Sequence, residues 1–163
     1  MNLIATFGGV GHLRPAPGTW GSLAALPVAY LVLWLGGPFV FAAAILVVTA
    51  VGLAATRAEI AASGDSDPSH VVIDEVAGQW VALLPAGFGA WHVGVPLLAL
   101  YPAWIAGFLL FRLFDIWKPG PVGRADARGD AWGVMLDDLI AGAFAALGVV
   151  LLAGVGHGIG RLL

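Results

Sequence analysis

The chain has 163 residues, enough for one domain. Hydrophobic residues make up 60% and charged residues 10%, and with a mean hydropathy of +0.95 this points to an integral membrane protein rather than a soluble domain. The net charge of −3 leaves no basic footprint for nucleic acid, and the absence of Cys excludes disulfides, thiolate catalysis and Cys-based zinc sites.

The first nine residues lack the basic start and apolar core of a signal peptide. Residues 1–21 are rich in Gly and Pro. Pro15 and Pro17 disfavour regular helix, Gly18 favours a turn, and Thr19 or Ser22 is the expected cap of the helix that follows. The first apolar run covers 23–35, or 19–35 with its polar start, and Pro27 inside it suits a membrane helix. Gly36-Gly37-Pro38 reads as a tight turn. The second run, 39–55, continues as a polar helix to residue 62 and stops at Gly64. A polar loop, 63–70, leads to the third run, 74–91, the least apolar of the set and suited to a helix surrounded by protein. The fourth run, 95–111, continues to Lys118 and ends at Pro119-Gly120-Pro121. Residues 122–132 read as a loop. The last run starts after Asp138 and extends to about Gly160, with small residues from Ala141 to Gly148 spaced for close helix packing.

The expected architecture is all-α: a polytopic membrane bundle of about five hydrophobic helices forming one domain over 1–163, with the polar motifs on one face. Segments 1–21, 57–75 and 112–138 then share a side. That side carries six of the seven Lys and Arg residues and all ten carboxylates. The other side keeps His92, His157 and Arg161. The basic bias makes the loaded side cytoplasmic. Carboxylates do not set orientation, so they need another explanation.

Three clusters supply one. Asp74-Glu75 and Asp137-Asp138 each sit at an expected helix start, where acidic residues also favour the helix dipole. Arg112, Asp115 and Lys118 are spaced three apart and share a helix side, as either a surface ion-pair ladder or a phosphate and metal site. Hard oxygen ligands without Cys favour Mg2+ or Mn2+. Arg14, Gly18, Thr19 and Ser22 offer a phosphate-binding helix start. His12 and His70 read as ordinary loop histidines.

Four stretches, 14–22, 72–80, 111–119 and 133–142, carry motifs (RPAPGTWGS, VIDEVAGQW, FRLFDIWKP and GVMLDDLIAG). In that order they resemble the phosphatidylglycerophosphatase A family. The resemblance implies a Mg2+-dependent, multi-pass enzyme of the bacterial inner membrane with its active face in the cytoplasm. Its substrate would be the lipid phosphatidylglycerophosphate, whose terminal phosphate is hydrolysed, with no obligate protein partner. On this reading Asp74, Glu75, Asp115, Asp137 and Asp138 are catalytic, and Asp74, Glu75, Asp137 and Asp138 hold the metal. Arg14, Thr19, Ser22, Arg112 and Lys118 bind substrate. The alternatives are a phosphatase acting on another phosphorylated lipid and a small cation transporter, which would place its carboxylates near mid-membrane. The Asp, Gly and Arg motif of CDP-alcohol phosphotransferases is missing.

Overall fold

Interruptions in the apolar runs decide where this chain turns. The protein is described here from a computed structural model covering residues 2–160; Arg161 and the His157 side chain lie outside the described residues. All regular elements among those residues are helical: two short 3-10 turns (Val10–His12 and Leu97–Leu100) and the α-helices α1 (Pro17–Ser63), α2 (Ile73–Val93), α3 (Tyr101–Trp117), α4 (Pro121–Asp126) and α5 (Ala131–Gly160).

Helix α1 begins with Pro17 in its first turn, where a missing N–H costs nothing. Neither Thr19 nor Ser22 caps it, contrary to expectation: the N-cap is Ala16, and Ser22 already lies in the second turn. A straight helix of 47 residues would run about 70 Å, over twice the ~30 Å hydrocarbon core. It does not run straight. Gly37 has φ 71° and ψ −176°, a conformation open to glycine, and Pro38 follows it. The two limbs fold back on each other and both line α2. From the first, the Ala25 carbonyl accepts the Trp80 indole N–H at 3.0 Å. From the second, the Phe41 ring lies 5.3 Å from that of Trp80, and Phe39 packs edge-on against Phe88 and Trp91 near the turn. The expected turn at 36–38 is therefore present inside what is otherwise one helical stretch. Gly64 ends α1 with φ 72°.

Helix α2 is the central rod. Most of it is buried, including Val76, Ala77, Gln79 and Leu83, which matches its weaker apolar character. Helices α1, α3 with its preceding turn, and α5 are each long and apolar enough to cross a membrane. With α1 folded in two, its limbs pack with α3 and α5 around the enclosed α2 as a membrane helical bundle. Outward-facing apolar side chains such as Trp34, Leu46, Ile116 and Leu151 are exposed and suited to lipid.

Two expectations need correction near the loaded end. The stretch 122–132 is not wholly loop: Pro121, whose fixed φ suits a first turn, starts the short helix α4. Helix α5 starts at Ala131, not after Asp138. Asp130 caps it, accepting the Gly133 N–H at 2.7 Å. Asp137 and Asp138 thus lie about two turns inside the helix and are not caps.

Helices α2 and α5 cross at glycine. A Cβ on Gly142 would overlap the Gly78 carbonyl, and a Cβ on Gly78 would come within 2.5 Å of the Asp138 carbonyl oxygen. This backbone-on-backbone contact brings the Glu75 turn of α2 beside the Asp138 turn of α5.

Candidate active site

The start of α2 is fixed from outside. The Ala5 carbonyl accepts the N–H groups of Val72 (2.9 Å) and Ile73 (3.2 Å), so the N-terminal segment ties down two backbone donors just before Asp74 and Glu75. Both carboxylates are buried, as are Asp115 near the end of α3 and Asp137 and Asp138 in α5. Residues from distant parts of the chain therefore meet at one end of the bundle.

The tightest grouping is Glu75, Asp115 and Asp138: one carboxylate oxygen from each lies within 4.8 Å of the other two. Asp74 and Asp137 line the same cavity of about 170 Å³, together with Asp67, Lys118 and Asp126. All four metal candidates from the sequence thus face one cavity. The compact cluster, however, pairs Glu75 and Asp138 with Asp115 rather than with Asp74 and Asp137. Helix geometry gives the reason. Adjacent residues on a helix diverge by about 100°, so only one member of each acidic pair joins the cluster.

The cations are already engaged. Arg112 Nη1 donates to Glu75 Oε2 at 2.5 Å, lies 2.8 Å from Asp115 Oδ2 and donates to Ser22 Oγ at 3.3 Å. Ser22 Oγ is also 2.9 Å from Glu75 Oε2. Lys118, capping α3 with a left-handed φ of 50°, donates to Asp137 Oδ2 at 2.8 Å and pairs with Asp126. Burial lowers the Lys118 pKa, but its hydrogen bonds to Asp126 and Asp137 outweigh that and hold the ammonium above the ordinary lysine range. Partial burial raises the Asp67 carboxyl, against the attraction of Lys118.

Five buried carboxylates face two cations. In a medium of low dielectric such an excess of like charge is costly, and an added cation relieves it. The donors are all carboxylate oxygens, the set that suits Mg2+ or Mn2+. The residues present fit a divalent cation.

Arg14 is exposed, and neither it nor Thr19 lines the cavity. His70 pairs with Glu59 at 2.8 Å and stacks on His12, outside the cavity wall. One contributor, Asp126, escaped sequence reasoning, and another, Gly18, has a different part from the phosphate contact expected of it. Gly18, expected in a turn, lies in the first turn of α1, where a Cβ would run into the Glu75 carboxylate. Asp126, expected in a loop, sits on α4 and shares Lys118 with Asp137. A glycine in the first turn of a helix was the one available signal; nothing in the spacing of Asp126 foretold its place.

The chain matches the Phosphatidylglycerophosphatase A family over residues 3–153. It belongs to the phosphatidylglycerophosphatase A family. Similar proteins include the phosphatidylglycerophosphatase A of Escherichia coli, 31% identical over 89% of this chain and 78% of that protein. That of Haemophilus influenzae is 32% identical over 90% of this chain and 85% of its own length. A Bacteroides thetaiotaomicron protein provisionally named phosphatidylinositol-3-phosphatase is 35% identical over 87% of this chain and 86% of its own. No solved structure matches the chain. Membership of this phosphatase family makes the protein an enzyme, and the four motifs meet at the carboxylate cavity.

Proposed function

We propose that the protein is a Mg2+-dependent lipid phosphatase that hydrolyses the terminal phosphomonoester of phosphatidylglycerophosphate. The supporting observation is the cluster of Glu75, Asp115 and Asp138, with its buried negative charge and two adjacent cations. Family membership supplies the substrate class.

Glu75, Asp115 and Asp138 would hold the Mg2+. When bound, the cation draws charge from the phosphoryl oxygens and so favours attack at phosphorus. Lys118 lines the cavity and Arg112 sits behind its Glu75 and Asp115 walls; as phosphate partners, each exchanges part of its carboxylate pairing for phosphate. Asp74, buried on the cavity wall with no salt bridge among the described residues, orients a water molecule and takes its proton. The water oxygen forms the new bond to phosphorus. The bond from phosphorus to the glycerol oxygen breaks, and the proton that Asp74 took is returned through solvent to that oxygen. The products are phosphatidylglycerol and inorganic phosphate. Ser22 holds the Glu75 carboxylate in place, and Gly18 leaves room for it.

The carboxylates gather at one end of the bundle, on the side bearing six of the seven basic residues, which favours the cytoplasmic face of a bacterial inner membrane for the reaction. Purified protein in detergent should release phosphate from phosphatidylglycerophosphate with Mg2+ and stop when EDTA is added. Phosphate release unaffected by EDTA refutes the metal, and none under any divalent cation refutes the phosphatase. The Bacteroides relative supports a second substrate, a phosphatidylinositol 3-phosphate; the ratio of the two turnover rates decides between them.

A further inference from the structure

A lipid phosphatase must hold its substrate's phosphate in a polar cavity while the acyl chains stay in the bilayer. The first limb of α1 and helix α3 run side by side from that cavity into the apolar zone. On α1, Ser22, Leu26 and Tyr30 recur every four residues and form one stripe. On α3, Arg112, Phe108 and Trp104 do the same in the opposite direction. The two stripes meet at both ends. Arg112 donates to Ser22 at the cavity end, and the rings of Tyr30 and Trp104 lie 6.2 Å apart at the deep end. Eight residues separate the two meeting points on each helix, about 12 Å at 1.5 Å per residue. At the deep end an apolar groove of about 310 Å³, lined by Leu26, Pro27, Tyr30, Leu98 and Trp104, opens outward. The Trp104 N–H is tied to the Leu97 carbonyl at 3.2 Å, so the indole offers the groove no free donor.

We propose that this groove receives one acyl chain of the substrate, with the phosphate held beyond Arg112 and Ser22. The proposal rests on the lipid-phosphatase reading and deepens it. The shared register puts the groove and the catalytic cavity toward the two ends of one α1–α3 seam. A lipid whose phosphate reaches the carboxylates lays its chain along that seam and into the groove. Bulk lipid filling the groove without headgroup contact is the competing occupant.

The groove's depth dictates the test. Leu98 is 59% exposed and lines only the deep end, so a larger side chain there is compatible with the fold. Leu98→Trp should lower kcat/KM for dioleoyl phosphatidylglycerophosphate about tenfold relative to the dihexanoyl form, whose short chains stop before Leu98. Leu26→Trp, one turn from Ser22, should impair both substrates. Leu98→Phe should repeat the selectivity of Leu98→Trp at lower amplitude, and it decides the matter if the Trp variant does not fold. Equal loss on both substrates, or no loss, from the folded Leu98 variants overturns the proposal. If the unsubstituted protein releases no phosphate from either lipid, the lipid-phosphatase reading itself falls.

Discussion

Gly18→Ala separates the catalytic role of α1 from its structural one. Within an exposed helix, replacing Gly by Ala favours folding by about 0.5–1 kcal/mol. Here the new Cβ would meet the Glu75 carboxylate and lie 3.4 Å from Arg112 Nη1. The cheapest escape is rotation of the Glu75 side chain, since its carboxylate is the far end of a flexible group. That group is held by Ser22 at 2.9 Å and Arg112 at 2.5 Å, so rotation also breaks two hydrogen bonds. A displacement of about 1 Å at a reacting centre costs on the order of a hundredfold in rate, or about 2.7 kcal/mol of barrier. Gly18→Ala should therefore lose about a hundredfold in kcat while its melting temperature stays near that of the unsubstituted protein. Phosphate release and thermal unfolding, measured on one preparation in detergent, read both quantities. Full activity would show that Glu75 does not need its observed position. Equal collapse of activity and melting temperature would show that the glycine serves packing alone.

Asp138→Asn removes one negative charge from the buried cluster. The metal-free protein should melt higher, turnover should fall at least about a hundredfold, and the rise in melting temperature on adding Mg2+ should vanish. For a ligand at a hundred times its Kd that rise corresponds to about 2.7 kcal/mol. Gly142→Leu forces α2 and α5 apart at their backbone contact; it should cost about 1–3 kcal/mol in stability and weaken Mg2+ binding, measured by Mg2+-dependent melting. Asp130→Ala removes the α5 cap and should lower the melting temperature without changing kcat. The Asp130 carboxyl is held below its ordinary pKa by hydrogen bonds from Arg128 and from the Gly133 N–H. Its stabilisation is therefore present above about pH 4, the unfolded value, and fades as pH falls through the folded one. The difference between variant and parent should close in strong acid.

Much of this arrangement was legible in the chain. Gly36-Gly37-Pro38 announced the fold-back of α1, because glycine reaches a φ that other residues avoid and proline cannot continue the hydrogen-bond ladder unchanged. The weak apolarity of 74–91 announced the buried rod. The acidic residues were legible as a group, since ten carboxylates on one side of a membrane chain demand a partner. The start of α5 is hidden from hydropathy, because apolarity begins after Asp138 whereas the helix begins where Asp130 caps it. Hydrogen bonding, rather than hydropathy, sets a helix end. The ligand geometry was only half legible. Adjacent acidic residues diverge around a helix, and which member faces the cluster depends on how α2 and α5 rotate about the Gly78–Gly142 crossing. Arg14 was expected at the site on its motif alone, yet it is exposed.

The two glycine contacts also explain why the carboxylates stay together. Carboxylates so close together repel, and in a flexible scaffold they would move apart until the repulsion faded. Gly78 and Gly142 lock α2 against α5 backbone to backbone, and the Ala5 carbonyl anchors the residues ahead of Asp74. Arg112 joins Glu75 to Asp115, and Lys118 joins Asp137 to Asp126. The scaffold holds the negative groups together, and each cation neutralises part of the excess while staying within reach of the cavity. A divalent ion and a phosphate bring opposite charges to this one place, so binding of each favours the other. Substrate affinity should accordingly rise with Mg2+ concentration, and Mg2+ affinity with substrate, by the same factor. Calorimetric titration of Mg2+ with and without inorganic phosphate tests this; equal Mg2+ affinity in the two titrations would mean the cation and the phosphate do not share the cavity.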